Sequence, residues 1–363
     1  MTIAPAMLAL VTEAYGGRGG IAQYNCDLFG ALAGAGAVSS IRVLPRLTPD
    51  PATTPAGINQ DPPRCSRIRY AVAAMRAALT TRPDLIFCGH LYMAPLGALI
   101  AGLTRAKLIV QMHGIEAWPR PSRLQRAGVE AADLILCVSR YTRARVLDWA
   151  SIAPEQLVVL PNTVGVAFTP GDGSSLRAAL GIEDKRVLLT VGRIDSRERY
   201  KGHERIIAAI PELVAAGHDV VYLVVGEGDD RERLKTRAGE VGVADRVWFM
   251  GSVEPPKLIE FYRAADLFVM PSTGEGFGIV FLEAMATGTP AIGLNIGGAR
   301  DALAEGELGT GAAKAGFAAA LARELGRPKP DSGALAGTVR TRFGRHNFTA
   351  GASAAVARIL ALS

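Results

Sequence analysis

The sequence predicts an α/β fold made of two doubly wound parallel sheets. Runs of Val, Ile and Leu alternate with helical segments in both halves of the chain, which is typical of parallel sheets covered by helices on both faces. The 363 residues are too many for one ordinary small domain and suit two. Hydrophobic residues make up 49% of the chain and charged residues 20%, which indicates a globular protein with a large core.

Each half has its own series of apolar strands. In the first half we expect strands at 8–12, 41–44, 85–88, 108–112, 134–138 and 158–160, and helices at 20–34, 66–80 and 141–150. In the second half we expect strands at 187–191, 220–225, 247–249, 267–270 and 291–293, and a helix at 204–215.

The domain boundary is predicted from composition. Residues 161–185 hold several Pro and Gly residues and lack periodicity, so they are expected to link the halves, and 306–337 is a second weakly patterned region. The predicted organisation is an N-terminal domain at 1–168, a C-terminal domain at 169–340, and a terminal helix at 341–363 that packs back toward the first domain.

The net charge of +6 lies entirely in the first half. Residues 1–168 hold 16 Lys and Arg against 10 Asp and Glu, whereas the remaining residues hold 24 of each. Such a localised positive field favours anionic partners. Arginines flank apolar residues from Arg64 to Arg82 and again from Arg120 to Arg126, which suits either an anionic membrane surface or an ordinary solvated helix face. Nucleic acid is not expected as a partner, because no known binding module is present.

Several features limit the alternatives. Cys26, Cys65, Cys88 and Cys137 have no paired spacing, so buried, reduced thiols of a cytosolic protein are expected. The apolar segment 3–11 lacks a basic region and is predicted to be a strand rather than a signal peptide. The longest apolar run, 91–103, is too short to span a bilayer. Asp229 and Asp230 are expected at a solvated helix start, and no cluster has metal-ligand spacing.

The most informative segment runs from Pro271 to Met285. An apolar strand, a turn containing Gly276, Phe277 and Gly278, and a helix starting at Ile279 follow one another. Free backbone N–H groups and the positive end of a helix dipole then meet at one place, which makes an anion site. Glu275 lies in the turn and Glu283 inside the helix. Carboxylates on both sides of an anion site suit a nucleotide-sugar, which is phosphate in the middle and hydroxyl-rich at both ends.

Two cations strengthen this interpretation. Gly192 and Arg193 end a strand, and Lys201 lies in the loop before the next helix. Cations at the carboxyl end of a strand, beside a helix start, suit a diphosphate in the crevice of a doubly wound sheet. The competing explanation is a pair of surface ion-pairing residues.

Further candidates end other strands. Gly17, Gly19 and Gly20 form a glycine-rich loop after the first strand, out of register with the dinucleotide fingerprint, and favour a diphosphate or acceptor loop over a plain turn. His113 ends another apolar run, where it could bond a sugar hydroxyl. His90 is expected to be structural. The Gly251 turn, with Val253 and Glu254, could present its backbone and a carboxylate to a base.

Taken together, these residues resemble the retaining family-4 glycosyltransferases of GT-B fold, whose two Rossmann-like domains face each other across a cleft. The resemblance rests on Arg193, Lys201 and the Glu275–Glu283 pair, with support from the glycine loop and His113, and covers nearly the whole chain. Lys201 lies farther from Arg193 than in the commonest family pattern, so we expect a longer loop with Lys201 still pointing inward.

The resemblance implies a role for each candidate. Arg193 and Lys201 would hold the diphosphate, Glu275 the sugar hydroxyls and Glu283 the ribose. The N–H groups of Phe277–Ile279 would face the phosphate and sugar. His113 would lie near the reacting carbon, and Gly17–Gly20 would cross the diphosphate from the N-terminal side. Neither a metal nor another cofactor is expected, since the nucleoside diphosphate sugar is a substrate.

The expected reaction is transfer of a hexose with retention by front-face, substrate-assisted displacement. The best match is mannose from GDP-mannose, passed to a lipid-linked or polysaccharide-precursor acceptor at the cytosolic side of the membrane, with Glu254 accepting from guanine. A UDP-sugar donor is one alternative. A nucleotide-sugar epimerase and a non-catalytic sugar-nucleotide-binding protein are the others, although neither explains both Arg193 and Lys201.

Overall fold

A computed structural model describes residues 4–47 and 53–361. Its strands are β1 Ala6–Val11, β2 Ser40–Pro45, β3 Ile58–Gln60, β4 Leu85–Cys88, β5 Lys107–Met112, β6 Leu134–Cys137, β7 Leu157–Val159, β8 Arg186–Val191, β9 Val220–Val225, β10 Val247–Gly251, β11 Leu267–Met270, β12 Ala291–Leu294 and β13 Thr310–Ala312. Its α-helices are α1 Gly20–Gly34, α2 Arg67–Thr81, α3 Ala94–Thr104, α4 Arg123–Glu130, α5 Arg140–Leu147, α6 Ser174–Leu180, α7 His203–Ala215, α8 Arg231–Glu240, α9 Pro255–Ala264, α10 Ile279–Ala286, α11 Ala299–Ala302, α12 Phe317–Gly326, α13 Ser332–Phe343 and α14 Arg345–Ala361.

The described residues form two compact units. The first comprises the described residues up to Thr163 together with those from Arg345 onward, and the second comprises Val164–Gly344. The first unit contains a seven-stranded sheet in the order β3-β2-β1-β4-β5-β6-β7, and the second a six-stranded sheet in the order β10-β9-β8-β11-β12-β13. All neighbouring strands in both sheets are parallel. The prediction of two doubly wound sheets is therefore confirmed.

The central strands are buried on both faces, as their unbroken apolar sequences require. Every residue of β4, β9 and β11 is buried. In the first unit, α2 to α5 contribute to one apolar cluster with β1, β4, β5 and β6. Helix α14 packs on α1, where the rings of Tyr24 and Phe348 meet edge to face at 5.7 Å and Arg345 lies 3.2 Å from Asp27. Among the described residues, no helix is long and apolar enough to span a membrane.

Each sheet has one point where the order of strands reverses. These points lie between β1 and β4 in the first unit and between β8 and β11 in the second. The loops that leave two such strands diverge, and ligands of doubly wound sheets bind in the crevice between them. The glycine loop follows β1, His90 follows β4, Arg193 follows β8 and Glu275 follows β11. The predicted site residues therefore lie at the binding edge of each sheet.

Aspartates fix the opposite edge of both sheets. Each of three strands, β4, β6 and β11, is directly preceded by an aspartate: Asp84, Asp133 and Asp266. Each aspartate accepts a hydrogen bond from a backbone N–H at the start of a neighbouring strand. The bonds run from β1 to Asp84 at 2.8 Å, from β5 to Asp133 at 2.8 Å and from β8 to Asp266 at 2.7 Å. Each carboxylate thus satisfies a donor that the parallel ladder leaves unpaired. The shared Asp-Leu pair at these three strands was not noticed in the sequence.

Asp266 also forms ion pairs with three basic side chains. It forms an ion pair with Arg177, and Lys329 and Arg186 lie 3.5 and 3.7 Å from its Oδ1 atom. The Asp266 side chain is only 11% exposed, so it neutralises charge in a largely dry environment.

Some expectations about the fold were wrong. Residues 306–337, expected to be weakly patterned, contain β13, α12 and the start of α13, because Ala-rich helices hide their periodicity. Residues 341–343 belong to α13, and the last helix begins only at Arg345. Strand β3 was missed, since only one of its three residues is buried.

Three side-chain environments also differ from expectation. Asp230 is not solvated: it is 4% exposed, and it forms ion pairs with Arg199 at 3.0 Å and Arg233 at 2.6 Å. Cys88 and Cys137 are buried as expected, but Cys65 is exposed and Cys26 is half-buried.

We expect Asp266→Ala to lower the free energy of unfolding by about 3–5 kcal/mol, because it leaves three cations and a strand N–H without their shared acceptor. Urea unfolding followed by circular dichroism measures the change. Asp184→Ala is the matched control, since Asp184 is exposed, and it should change stability by less than about 0.5 kcal/mol. Equal stability of the two variants would contradict the structural role of Asp266.

Candidate functional site

The loop between β8 and α7 docks closely on the loop after β11. Residues 196–201 form a short 3₁₀ turn that ends at Gly202, whose φ of 83° lies in the left-handed region. A Cβ atom on Gly202 would lie 2.6 Å from the carbonyl oxygen of Pro271. The backbone N–H of Thr273 donates to the carbonyl of Tyr200 at 2.9 Å. This contact fixes the position of Lys201 relative to Glu275.

Lys201 points inward, as the longer-loop prediction requires. Its side chain is 15% exposed, and its Nζ lies 3.0 Å from Glu198 Oε2. Arg193 forms an ion pair with the other oxygen of the same carboxylate and is 74% exposed. Glu198 therefore joins the two predicted cations. It was missed in the sequence, where its position three residues before Lys201 was the only available clue.

The turn after β11 presents free N–H groups and a buried carboxylate. Among the described residues, none accepts a hydrogen bond from the backbone N–H groups of Phe277, Gly278 and Ile279. Glu275 is half-buried, and its Oε1 has no hydrogen-bond partner in the described part of the chain. Burial raises the pKa of Glu275, whereas the charge of Lys201 lowers it. An unpartnered carboxylate oxygen beside free N–H groups suits a ligand that donates hydroxyls and carries negative charge.

Other contacts hold this turn in place. Phe277 is 3% exposed, and its ring packs against Phe343 at 5.6 Å. The N–H of Gly298 donates to the carbonyl of Glu275 at 2.9 Å. A Cβ atom on Gly298 would lie 1.9 Å from the carbonyl oxygen of Gly276, so the loop after β12 supports the turn from one side.

Glu283 lies in α10, as predicted, and is paired with a tyrosine. It accepts a hydrogen bond from the Tyr262 hydroxyl at 2.7 Å, and Tyr262 on α9 is fully buried. Burial raises the pKa of Glu283 from its ordinary 4.5 to about 7, although the hydrogen bond from Tyr262 opposes this rise. Tyr262 was not recognised in the sequence, because it follows an ordinary helical pattern. It fixes the orientation of the carboxylate.

The ends of β8, β9 and β10 meet at three glycines. The N–H of Gly226 donates to the carbonyl of Gly251 at 2.8 Å, and a Cβ atom on Gly226 would lie 1.9 Å from the carbonyl oxygen of Gly192. Val253 is half-buried and Glu254 is exposed at the start of α9. Glu227 also lies at the Gly251 turn, where its Oε1 accepts from the N–H of Ser252 at 3.4 Å.

The first unit has its own glycine loop, after β1. Gly16 and Gly19 have φ values of 83° and 97°, and α1 begins at Gly20. Gly17 is half-buried, and a Cβ atom there would lie 2.8 Å from the Cβ of Glu13, whereas Gly19 and Gly20 are exposed with open space around them. The loop therefore has a tight first half and an open second half, where a ligand can approach the backbone.

His113 follows β5 and is held as a neutral imidazole. Its Nε2 lies 3.0 Å from the carbonyl oxygen of Gly89, so Nε2 carries the proton and donates it, which leaves Nδ1 as an acceptor. Burial lowers the pKa of His113 to about 4, despite the opposing charge of Glu116. Glu116, unrecognised in the sequence, accepts from the backbone N–H of His113 at 2.5 Å.

Two of the other histidines, His90 and His203, have structural environments. His90 is 7% exposed, lies 6.4 Å from His113 between ring centroids and stacks on Tyr92 at 4.6 Å. His203 is buried against the Tyr222 hydroxyl at 3.0 Å. In the described part of the chain, no group of three or more His, Cys, Asp or Glu side chains is placed to hold a metal ion.

Two doubly wound units, with paired cations and paired glutamates at the binding edge of the second, define a glycosyltransferase fold of the GT-B class. The chain matches the description "Glycosyltransferase Family 4" over residues 18–168 and "Glycosyl transferases group 1" over residues 174–327. The D-inositol 3-phosphate glycosyltransferase 1 of Catenulispora acidiphila is 30% identical over 77% of this chain and 71% of the relative. The chain belongs to glycosyltransferase family 4.

Two further curated relatives are matched over shorter spans. The D-inositol 3-phosphate glycosyltransferase of Acidothermus cellulolyticus is 36% identical over 70% of this chain and 63% of the relative. The GDP-mannose-dependent alpha-(1-6)-phosphatidylinositol monomannoside mannosyltransferase of Mycolicibacterium smegmatis is 32% identical over 60% of each chain. This chain thus spans less than two thirds of the length of these two relatives.

Solved structures share the fold. HepE of Anabaena, solved in complex with UDP, has a TM-score of 0.76 at 18% identity, with 98% of this chain and all of that chain covered. The sucrose-phosphate synthase of Thermosynechococcus elongatus has a TM-score of 0.71 at 25% identity and 98% coverage of both chains.

We expect the contribution of Glu283 to the stability of the wild type to fall as pH rises from about 4.5 to about 7, because Glu283 keeps a proton when folded that it loses when unfolded. The buried His113 and His203, whose pKa values are lowered, act in the opposite direction, so the comparison with a Glu283 variant isolates this contribution. Glu283→Gln removes this dependence while keeping an acceptor for Tyr262, and should stabilise the protein at pH 8 by up to about 3 kcal/mol. Thermal unfolding of both proteins across this pH range measures the difference. If both proteins show the same pH profile, folding does not raise the pKa of Glu283.

We expect Glu198→Gln to bind inorganic pyrophosphate about tenfold more tightly than the wild type, because it removes a negative charge that competes for Lys201 and Arg193. Isothermal titration calorimetry measures the affinity. The control is Glu204→Gln, which removes an exposed carboxylate of α7 that is paired with Arg233 of α8. This variant should bind pyrophosphate with the affinity of the wild type. Weaker binding by the Glu198 variant would instead show that this carboxylate positions the cations.

Proposed function

We propose that the chain is a retaining hexosyltransferase that moves a sugar from a nucleoside diphosphate to a hydroxyl group of an acceptor. The observation that carries this proposal is the pair of cations held by Glu198 beside the free N–H groups and carboxylate of the 275–279 turn. A diphosphate leaving group needs stabilisation by positive charge, and a sugar needs acceptors for its hydroxyls. Family membership supports the same conclusion.

The proposal assigns separate parts of the donor to separate residues. Lys201 and Arg193 exchange Glu198 for the diphosphate, whose negative charge matches theirs. The N–H groups of Phe277, Gly278 and Ile279 add donors and the positive end of the α10 dipole. Glu275 accepts from sugar hydroxyls through its unpartnered oxygen, and Glu283, oriented by Tyr262, accepts from the ribose.

We assign a front-face, substrate-assisted mechanism without a metal. The leaving phosphate oxygen takes the proton of the attacking hydroxyl as the new glycosidic bond forms on the face that the diphosphate leaves. The protein then contributes orientation and electrostatic stabilisation of the departing charge. In the first unit, we assign the open half of the glycine loop to the diphosphate. His113, a neutral imidazole with a free Nδ1 acceptor, is assigned to a sugar hydroxyl near the reacting carbon.

For the donor we propose GDP-mannose. The Mycolicibacterium smegmatis relative is GDP-mannose-dependent by name. Glu254 is exposed at the Gly251 turn, where its carboxylate is available to accept from the N–H groups of guanine. Glu227 provides a second carboxylate at the same turn. A UDP-sugar lacks this pair of donors on its base and remains the alternative.

For the acceptor we propose a lipid-linked or polysaccharide-precursor hydroxyl at the cytosolic side of the membrane. The names of the curated relatives supply the first compounds to try, since inositol 3-phosphate and a phosphatidylinositol mannoside both present cyclitol or sugar hydroxyls beside a phosphate. The excess of basic residues in the first half of the chain suits an acceptor that carries negative charge.

We expect Arg193→Ala and Lys201→Ala each to lower kcat by roughly 10²–10³, because each removes one donor that stabilises the leaving diphosphate. The assay follows release of GDP or UDP from GDP-mannose and UDP-glucose, with and without the two acceptors. Arg197→Ala is the matched control, since Arg197 lies in the same loop, is 88% exposed and pairs with Asp195. Near wild-type turnover in both site variants would reject the assignment.

The same assay separates the competing functions. A transferase releases the nucleoside diphosphate and forms a glycosylated acceptor. An epimerase changes the configuration of the sugar without an acceptor, and a binding protein does neither. Faster turnover of UDP-glucose than of GDP-mannose would replace the proposed donor and leave the transferase assignment intact.

A further inference from the structure

The outward faces of α2 and α3 carry large apolar side chains that no described residue covers. Ile68, Val72 and Leu79 of α2 are 78%, 62% and 56% exposed, and Leu99 and Leu103 of α3 are 55% and 60% exposed. We call these five residues, together with the half-buried Met75, the apolar ridge. A shallow groove of about 470 Å³ runs along it, lined by Val72, Met75, Arg76, Leu79 and Thr80.

Helical spacing arranges the ridge as continuous stripes. Positions 68, 72, 75 and 79 recur at intervals of four and three, so they lie on one side of α2, and 99 and 103 are one turn apart on α3. The core-facing side of α2 is a separate set made of Tyr70, Ala74, Ala77 and Ala78. Because α2 and α3 contact each other and cover the same apolar cluster, their outward stripes belong to one layer.

The charge around the ridge is predominantly positive. Residues 62–115 contain seven basic residues and one acidic residue, Asp84, so this stretch alone carries a net charge equal to the +6 of the whole chain. Arginines 67, 69, 76, 82 and 105 are exposed, and none of them forms an ion pair with a described residue. By contrast, Arg126 of the second arginine cluster is paired with Glu130 at 2.7 Å, so that cluster offers less free charge.

We propose that the apolar ridge and its arginines dock the first unit on an anionic lipid bilayer. Apolar side chains flanked by unpaired arginines are the features that hold an amphipathic helix at a charged membrane surface. A second copy of the chain fits less well, since a symmetric contact would place two surfaces of the same positive charge against each other. Helix α3 also begins just after the His90–Tyr92 stack, which connects the ridge to the edge that holds His113.

Sedimentation with vesicles tests the proposal without any need for activity. The full chain should sediment with vesicles of phosphatidylcholine and phosphatidylglycerol at low salt, and should stay in solution with phosphatidylcholine alone or at high salt. The double change Val72→Ser with Leu79→Ser should weaken partitioning roughly tenfold. The matched control is Val166→Ser in the second unit, which removes a similar side chain that is 70% exposed and should have no effect.

A charge variant tests the second part of the surface. Arg76→Gln should weaken partitioning about fivefold, whereas Arg323→Gln, on an exposed position of α12, should leave it unchanged. Titration with GDP should give the same affinity for all four variants as for the wild type, so a failure of the membrane proposal remains distinct from a failure of the proposed function.

Three outcomes would overturn the proposal. The first is that the wild type stays in solution with anionic vesicles at low salt. The second is that the Val72 and Leu79 double variant partitions as strongly as the wild type. The third is that vesicle binding is absent and sedimentation velocity shows a dimer that the double variant abolishes. This result would assign the ridge to a second copy of the chain.

Discussion

The close approach of two backbones at Gly202 and Pro271 is the constraint on which the candidate site depends. It locks the loop after β8 against the loop after β11, the two strands where the order of the second sheet reverses. Lys201 and Glu198 come from the first of these loops and Glu275 from the second. A side chain at position 202 would separate the loops, so one glycine determines whether the cations and the carboxylate act on the same ligand.

Much of this arrangement could be predicted from the sequence, because strand order and apolar runs carry most of the information in a parallel fold. Arg193, Lys201 and Glu275 follow predicted strands and lie in the loops at the binding edge of the second sheet. Glu283 lies in α10, the helix that follows the Glu275 turn. The roles assigned to them remain predictions. Residues that act through another side chain were harder to find. Glu198 and Tyr262 were missed because their partners are distant in sequence or lie in a turn with no repeating pattern.

The two edges of the second sheet differ in how fully their polar groups are paired. At the carboxyl edge, charges are left partly unsatisfied: Glu275 keeps a free oxygen, and the N–H groups of its turn have no acceptor among the described residues. At the opposite edge, aspartates such as Asp266 satisfy strand N–H groups and cations together. Fully satisfied polar groups stabilise the fold, whereas unsatisfied ones are available to a ligand. This contrast separates the Glu275 turn from the Asp266 cluster of the same unit.

The carboxylate of Glu198 also bears on how a catalytic cycle would end. Under the proposed function, a nucleoside diphosphate bound by Arg193 and Lys201 would leave slowly after transfer of the glycosyl group, and slow product release limits many enzymes. A carboxylate already placed between Arg193 and Lys201 can take back both cations as the product moves out. The strength of this ion pair would then set the balance between tight retention of the donor and rapid release of the product.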